Sequence, residues 1–322
     1  MMITTAHENI GSAVHTEPAP ARLSDWRSRL MQVVILGGAV GQRDLIRGAK
    51  RSLLGLPVES RRSVMDLWYE QTTKLATALD RRNLPVRVMV NDKAPVPDWH
   101  GGNGRVTFAI EEDPLLYRGT GGLLHDLLAD RDEDDLAVVV AGGQILLEDL
   151  PGLVEDLARL EADVAVAGHA DGTPLSLMLI RCGALQTIKA SGFVDLKEQA
   201  LPMLSQNHRV AARVHRRPVA ISVRTRRDYL RALGAYHGTR STDRDNPFAE
   251  RWSTTFSIVE DGAEVHPSAR IHDSVVLRGA TVGRDAVVAQ SVVCSGAKVR
   301  SRRIVGQELL APGDSQAPRE RR

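Results

Sequence analysis

The stretch Val259–Val299 reads VEDGAE VHPSAR IHDSV VLRGAT VGRDAV VAQSV VCSGAK V when it is broken before each recurring aliphatic residue. Those residues are Val259, Val265, Ile271, Val276, Val282, Val288, Val293 and Val299, with small or polar residues between them. An amphipathic helix repeats its apolar positions at three and four residues, and an ordinary strand at two. A period near six, with Gly, Ala or Ser filling the intervals, predicts a parallel β-helix. Each hexapeptide then forms one side of a triangular coil and turns one aliphatic side chain inward. No rung can bury its face alone, so the coils must stack on one another and on something larger. Two steps, Ile271 to Val276 and Val288 to Val293, span five residues instead of six. About 40 repeat residues imply little more than two coils.

The rest of the chain must supply the larger body. At 322 residues the length allows two domains and a sizeable core. Hydrophobic residues at 43% and charged residues at 25% fit a soluble globular protein. A net charge of +2 gives neither a nucleic-acid nor a membrane-surface footprint, so Arg213 to Arg217 and Arg224 to Arg227 read as solvated faces or anion contacts. Cys182 and Cys294 form no disulfide framework and no zinc spacing, which suits a reducing compartment. The first 30 residues lack the apolar run of a signal peptide, and no stretch is long enough to span a bilayer. The expectation is a cytoplasmic protein.

Upstream of the repeat, buried strands alternate with helices. Gln32-Val33-Val34-Ile35-Leu36 is an apolar run entering Gly37-Gly38, the pattern of a buried parallel strand followed by a glycine turn. Val64, Leu67, Trp68, Gln71, Leu75, Ala78 and Leu79 follow at helical spacing. Strands are expected at 85–90, 106–110, 136–140, 162–167, 176–180 and 219–223, with helices beginning near Leu123 and Leu150. That alternation predicts a mostly parallel, Rossmann-like α/β sheet. The expected organisation is a flexible leader (1–30), an α/β domain (31–237), a linker (238–252), a β-helix (253–305) and a flexible tail (306–322).

Specific segments strengthen both readings. His266-Pro267-Ser268-Ala269, followed by Ser274-Val275-Val276 and Ser291-Val292-Val293, resembles the left-handed β-helix family. Leu36-Gly37-Gly38-Ala39-Val40-Gly41-Gln42-Arg43, then Lys50-Arg51-Ser52-Leu53-Leu54-Gly55-Leu56-Pro57-Val58, is similar to the L-x-G-G-x-G-T-R-L motif and the Lys-to-L-L-P-V run of the sugar-phosphate nucleotidyltransferases. Three further segments resemble that family in the same order: Gly119-Thr120-Gly121-Gly122, Gly192-Phe193-Val194-Asp195-Leu196-Lys197, and Val223-Arg224-Thr225-Arg226-Arg227-Asp228-Tyr229-Leu230. The resemblance covers roughly residues 32–300. It implies transfer of a nucleotidyl group from a nucleoside triphosphate to a hexose 1-phosphate, with release of pyrophosphate and help from Mg²⁺. It also implies a possible homo-oligomer formed through the β-helix.

The chemistry accounts for these residue types. A triphosphate needs a backbone-lined loop at a strand's carboxyl end, where N–H groups face the phosphates and glycine permits close approach. By resemblance, Leu36, Gly37, Gly38 and Gly41 with Gly119, Thr120, Gly121 and Gly122 bind the nucleotide. Arg43 holds the triphosphate and Lys50 neutralises charge at the α-phosphorus, both as catalytic residues. Gly143, Asp195 and Lys197 lie beside the sugar phosphate.

The metal site departs from the pattern. Where the family places two carboxylates, this chain has Gln144, after Gly143, and Ser222. Mg²⁺ prefers anionic oxygens, so Glu148, Asp149 and Asp228 are the residues that could stand in for them. A second reading is therefore a non-catalytic relative that binds a nucleotide or nucleotide-sugar and regulates a partner. Acyl transfer, a third, needs more coils than the repeat supplies, and a dinucleotide fold needs a G-x-G-x-x-G spacing that Gly37 to Gly41 lacks. Plain structural roles compete throughout: surface charge for Arg43 and Lys50, an ordinary loop for Gly119 to Gly122, and an exposed helix start for Asp195 and Lys197. His266 and His272 read as β-helix corners, and Trp26, Trp68 and Trp252 as packing residues.

Overall fold

The computed structural model describes residues 25–38, 43–90, 99, 104–113, 118–172, 174–188, 192–240 and 256–314. Gly41, Gln42, Trp252, most of the expected leader, and the 241–252 and 315–322 parts of the expected linker and tail lie outside those residues.

Seven strands form the central sheet: β1 Leu30–Leu36, β2 Leu84–Val90, β3 Val106–Glu112, β4 Leu136–Ala141, β5 Val164–His169, β6 Pro174–Arg181 and β7 Val210–His215. Their spatial order is β7-β5-β6-β4-β1-β2-β3, and every pairing is parallel except those of β6 with its two neighbours. Strand β1 sits centrally because it is apolar on both faces. Val33 and Ile35 enter one core cluster and Val34 the other, all with no solvent exposure. Five helices matter for the site: α1 Arg43–Ala49, α2 Val64–Ala78, α3 Gly119–Leu128, α4 Leu150–Ala158 and α5 Arg226–Arg240. Helix α2 starts where the sequence favours it: Ser63 Oγ accepts from Asp66 N (3.2 Å), and the Asp66 carboxylate accepts from Ser63 N (2.7 Å). This closes a capping box.

The C-terminal repeat closes as a coil of 17 residues. Ser257 pairs with Ser274, Val275 with Val292, and Val292 with Leu309. Three stacked faces result, with four, three and three strands. A 17-residue coil has two six-residue sides and one of five, so the short steps are one corner repeated. That corner is occupied by Asp273 (φ 43°), Gln290 (48°) and Gln307 (54°), all left-handed. Asn, Asp and, less readily, Gln tolerate this region, and the column continues upward as Gln307 Nε2 donates to Gln290 Oε1 (3.1 Å). Beside it Ser274 and Ser291 are buried and bridge coils, Ser291 N donating to Ser274 Oγ (3.0 Å) and Glu308 N to Ser291 Oγ (2.9 Å).

Several expectations need correction. The repeat extends through Leu310, giving three full coils and a further strand, because Ile304–Gly306 and Leu309–Leu310 continue the ladders. Val282 and Val299 are buried as expected, but Val265 and Ile271 are only partly so, since they belong to the first coil and no strand among the described residues stacks beneath them. The α/β portion starts earlier, with a turn of helix at Trp26–Arg29 before β1, and α5 runs to Arg240, three residues into the expected linker.

One face of the β-helix shares the core of the α/β portion. Phe256, Ile258, Val275, Leu277, Val292 and Cys294 lie in one buried cluster with β1 and α2. Polar contacts flank it: Arg51 Nη1 to Glu260 Oε1 (2.6 Å), Arg61 Nε to Asp261 Oδ2 (2.8 Å), and Arg226 Nη1 to the Gln290 carbonyl (2.9 Å). Among the described residues no helix is long and apolar enough to cross a membrane.

Candidate functional site

The turn after β1 is fixed from both sides. Gly37 N donates to Met89 O (2.7 Å) at the end of β2, and Gly142 N donates to Leu36 O (2.8 Å) at the end of β4. Trp68 Nε1, buried on α2, donates to Gly142 O (3.0 Å). Leu36, Gly37 and Gly38 therefore stand at the carboxyl ends of adjacent parallel strands, where open α/β sheets bind ligands. Gly38 is exposed. Arg43 opens α1, and its side chain is outside the described set. Lys50 follows α1 in a left-handed conformation (φ 54°) and is exposed; among the described residues no side-chain hydrogen bond or ion pair joins it to the other site residues.

The Gly119–Gly122 segment is not a loop. It forms the first turn of α3 and lies against the segment carrying Asp195 and Lys197. Gly121 N donates to Val194 O (2.9 Å), Val194 N to Arg118 O (2.8 Å), and Leu196 N to Thr120 Oγ1 (3.1 Å). Gly119 has φ +68°, and a Cβ there would lie 2.5 Å from Val194 O. The glycines are thus accounted for by close approach of another stretch of chain. Two segments quoted separately from the sequence are one packed unit. The Asp195 carboxylate accepts from Lys197 N (2.8 Å) and Glu198 N (2.9 Å), so it caps a short helix, the structural role weighed for it from sequence.

The two positions expected to hold metal do come together. After β4 the chain runs Gly142-Gly143 into a short strand, Gln144–Leu146, which pairs antiparallel with Ala220–Ser222, and Gln144 is the direct partner of Ser222. Gln144 is 1% exposed. Its Nε2 donates to Ser176 O (3.1 Å), while its Oε1 is buried and has no hydrogen-bond partner among the described residues. Lys197 Nζ donates to the same residue's Oγ (2.9 Å). Ser176, on β6, therefore links Gln144 and Lys197, and nothing in its sequence neighbourhood marks it. Desolvation pushes the Lys197 ammonium below the ordinary lysine range; repulsion from Arg224 adds to this and Asp195 opposes it. Ser222 and Arg224 line an open cleft of about 540 Å³ with His169, Asp228 and Arg231.

This donor set does not fit a divalent cation. A buried amide and a hydroxyl bring no charge, and two of the three possible replacement carboxylates are committed elsewhere. Asp149 Oδ1 accepts from Lys74 Nζ (2.9 Å) and Gln71 Nε2 (3.3 Å), turned toward α2. Asp228 Oδ2 accepts from Thr225 N and Thr225 Oγ1 (both 3.0 Å), capping α5. Glu148 is exposed. Among the described residues no group of three or more His, Cys, Asp or Glu side chains is placed to hold a metal. The Mg²⁺ expected from resemblance therefore has no carboxylate ligands at Gln144 and Ser222.

Residues 252–315 match the GlmU-like C-terminal hexapeptide family. The match covers the hexapeptide coil and stops at its boundary with the α/β portion. Solved structures similar to the chain include a Bacillus anthracis protein assigned as a glucose-1-phosphate thymidylyltransferase, in complex with sucrose. It is 16% identical with a TM-score of 0.49, over 68% of this chain and 98% of that one. HddC from Yersinia pseudotuberculosis is 17% identical with a TM-score of 0.45, over 63% and 98%. The same protein with GMP-PN is 18% identical, at the same score and coverage. The sequence matches none of the curated proteins. The chemistry of the α/β portion rests on its own residues.

Proposed function

We propose that this protein binds the ligands of a sugar-phosphate nucleotidyltransferase, a nucleotide, a hexose 1-phosphate or their nucleotide-sugar product, without metal-assisted transfer between them. The observation that carries the reading is the Gln144–Ser222 pair. The two positions sit opposite one another as a metal-binding pair would require, yet neither supplies a carboxylate. Positioning and electrostatics dominate phosphoryl-group chemistry, so a crevice that keeps the shape and loses the charge keeps binding and loses rate. The glycine turn at the end of β1, and the contact of the Gly119 and Lys197 segments, support a retained ligand crevice. In this reading the β-helix is an assembly surface, through which the chain forms homo-oligomers or meets a partner.

Nucleotidyl transfer is the second reading, favoured by the placement of Gly37 and Gly38 at the carboxyl edge of the sheet ahead of α1. The two are separated by assaying pyrophosphate release from each nucleoside triphosphate with several hexose 1-phosphates, in Mg²⁺ and in Mn²⁺, beside ligand-induced shifts in melting temperature. The expected result is a stabilising shift without turnover. Robust turnover would establish the enzyme, and the absence of any shift would remove the binding reading.

A further inference from the structure

We propose that the last coil of the β-helix is a positioning element for the glycine turn, setting where α1 stands beside it and with that the affinity of the crevice for a nucleotide. The inference rests on the binding reading above and adds what holds the crevice in its binding geometry.

The sheet fixes one side of the turn, through the bonds of Gly37 to Met89 and of Leu36 to Gly142. The other side belongs to α1, which begins at Arg43 and is placed by packing. Leu45 and Ala49 are buried in the shared core, and Gly48 is buried where α1 meets the β-helix. A Cβ at Gly48 would lie 3.0 Å from Leu309 Cδ2 and 3.4 Å from Cys294 Sγ. Gly48 sits within the helix, so its missing side chain answers to close approach and not to a left-handed turn. Leu309 is itself held by the ladder. It pairs with Val292, while Val292 N donates to Glu308 O (2.9 Å) and Cys294 N to Leu310 O (2.8 Å).

The residues after α1 carry this contact back to the turn. Arg51 Nη1 meets Glu260 Oε1 at 2.6 Å on the first coil, and Glu260 and Cys294 occupy equivalent places two coils apart. The segment 48–51 therefore spans the β-helix from first coil to last, and Lys50, with its left-handed φ of 54°, lies inside it. Three residues past Arg51, the fully buried Leu54 reaches the turn itself. A Cβ at Gly37 would sit 2.9 Å from Leu54 Cδ1, and one at Gly142 3.0 Å from Leu54 Cδ2. Packed contacts thus run without a break from Leu309 to Gly37, and a close-packed interior transmits a displacement instead of absorbing it.

The same β-helix face supplies an internal control. Ile258, Val275, Val292 and Leu309 form one column in register. The strand of Ile258 packs against Pro57–Glu59, whereas the strand of Leu309 packs against α1. Both residues join the two parts of the chain, but only Leu309 touches the helix beside the turn at Gly48.

Calorimetric titration of the full chain with ATP, CTP, GTP, UTP and dTTP, each in EDTA and in Mg²⁺, tests this. Gly48→Val drives an isopropyl group into the contact and should weaken binding by about 5- to 30-fold. Leu309→Ala removes the support and should weaken it by about 3- to 10-fold. The double variant moves the isopropyl group from coil to helix at constant volume, and should return to within about threefold of wild type. Ile258→Ala should lower the melting temperature as Leu309→Ala does and leave affinity unchanged, which separates positioning from stability. If Gly48→Val does not fold, Leu309→Ala set against Ile258→Ala carries the test. Affinity that neither single variant changes, a double variant no better than Gly48→Val, or equal losses in Leu309→Ala and Ile258→Ala would each overturn the inference and leave the binding reading standing. A wild-type chain that binds none of these nucleotides removes the binding reading, and the inference with it.

Discussion

Gln144 and Ser222 face each other across a two-stranded antiparallel ladder at the edge of the crevice, although 78 residues separate them in sequence. The ladder is built independently of any ligand. Val223 N donates to Gly143 O (2.9 Å), Leu147 N to Val219 O (2.8 Å), and Ile145 and Ala220 are buried beneath. A scaffold that holds two positions together is therefore intact, and only their chemistry is neutral.

That separation predicts a gain of function. Gln144→Asp combined with Ser222→Asp should create a Mn²⁺ site that wild-type protein lacks, because the ladder already brings the two backbones together and Mn²⁺ needs the anionic oxygens. Electron paramagnetic resonance of added Mn²⁺ reads it directly. If the double variant leaves Mn²⁺ as free as wild type does, the positions do not form a metal pair.

The β-helix core should show a gradient along its axis. Val288, in the middle coil, is fully buried, whereas Ile271 in the first coil is partly exposed. Val288→Asp should cost about 4 kcal/mol or more in urea unfolding and Ile271→Asp about half as much. Equal costs would contradict a coil that is open at its first rung.

Glycine substitutions separate close approach from mere presence. Gly119→Ala combines a left-handed φ with a 2.5 Å clash on Val194 O, and should cost about 2–3 kcal/mol and loosen the segment carrying Lys197. Gly152→Ala in α4, where none of the described residues lies within 4 Å, should stabilise by about 0.5–1 kcal/mol. Melting temperatures of the two variants moving in the same direction would be inconsistent with this packing.

The ion pair between the two parts of the chain can be measured alone. Arg51 and Glu260 are 2.6 Å apart and mostly shielded from solvent. A double-mutant cycle with alanine at both positions should give a coupling of about 1–2 kcal/mol, reduced by added salt. No coupling at low salt would show that apolar packing alone docks the β-helix.

Burial pushes the thiols of Cys182 and Cys294 up to about 12. Only the thiolate is reactive, so at pH 8 about one thiol in ten thousand is ionised. A disulfide-exchange reagent should leave both untouched in native protein at pH 8 and titrate both after unfolding in guanidinium. Rapid reaction of either one in the native state would place it nearer solvent than this core allows.

Much of the fold was legible because local patterns are short-range physics. The six-residue period required a stacking coil, and the unbroken apolar runs at β1 and β4 required strands buried on both faces. The five-residue steps looked like defects in sequence. They are one corner of a 17-residue turn, recognisable only once Ser257, Ser274 and Val292 are seen in register with the residues above them. The close approach of Val194 to Gly119 was not legible, because glycine in sequence signals conformational freedom and does not say what comes close. Ser176 carried no signal, since an isolated serine in an apolar strand is ordinary until its two oxygens receive Gln144 and Lys197.

By itself, then, the sequence determined the β-helix, the mostly parallel sheet, and the absence of carboxylates at Gln144 and Ser222. Each of these depends on residue type and spacing along the chain. Tertiary structure alone decided that those two positions are partners, and that Asp149 and Asp228 are already held by hydrogen bonds of their own. These depend on which side chains of remote segments meet, and on which hydrogen bonds have already consumed a carboxylate. Spacing along a chain does not encode either.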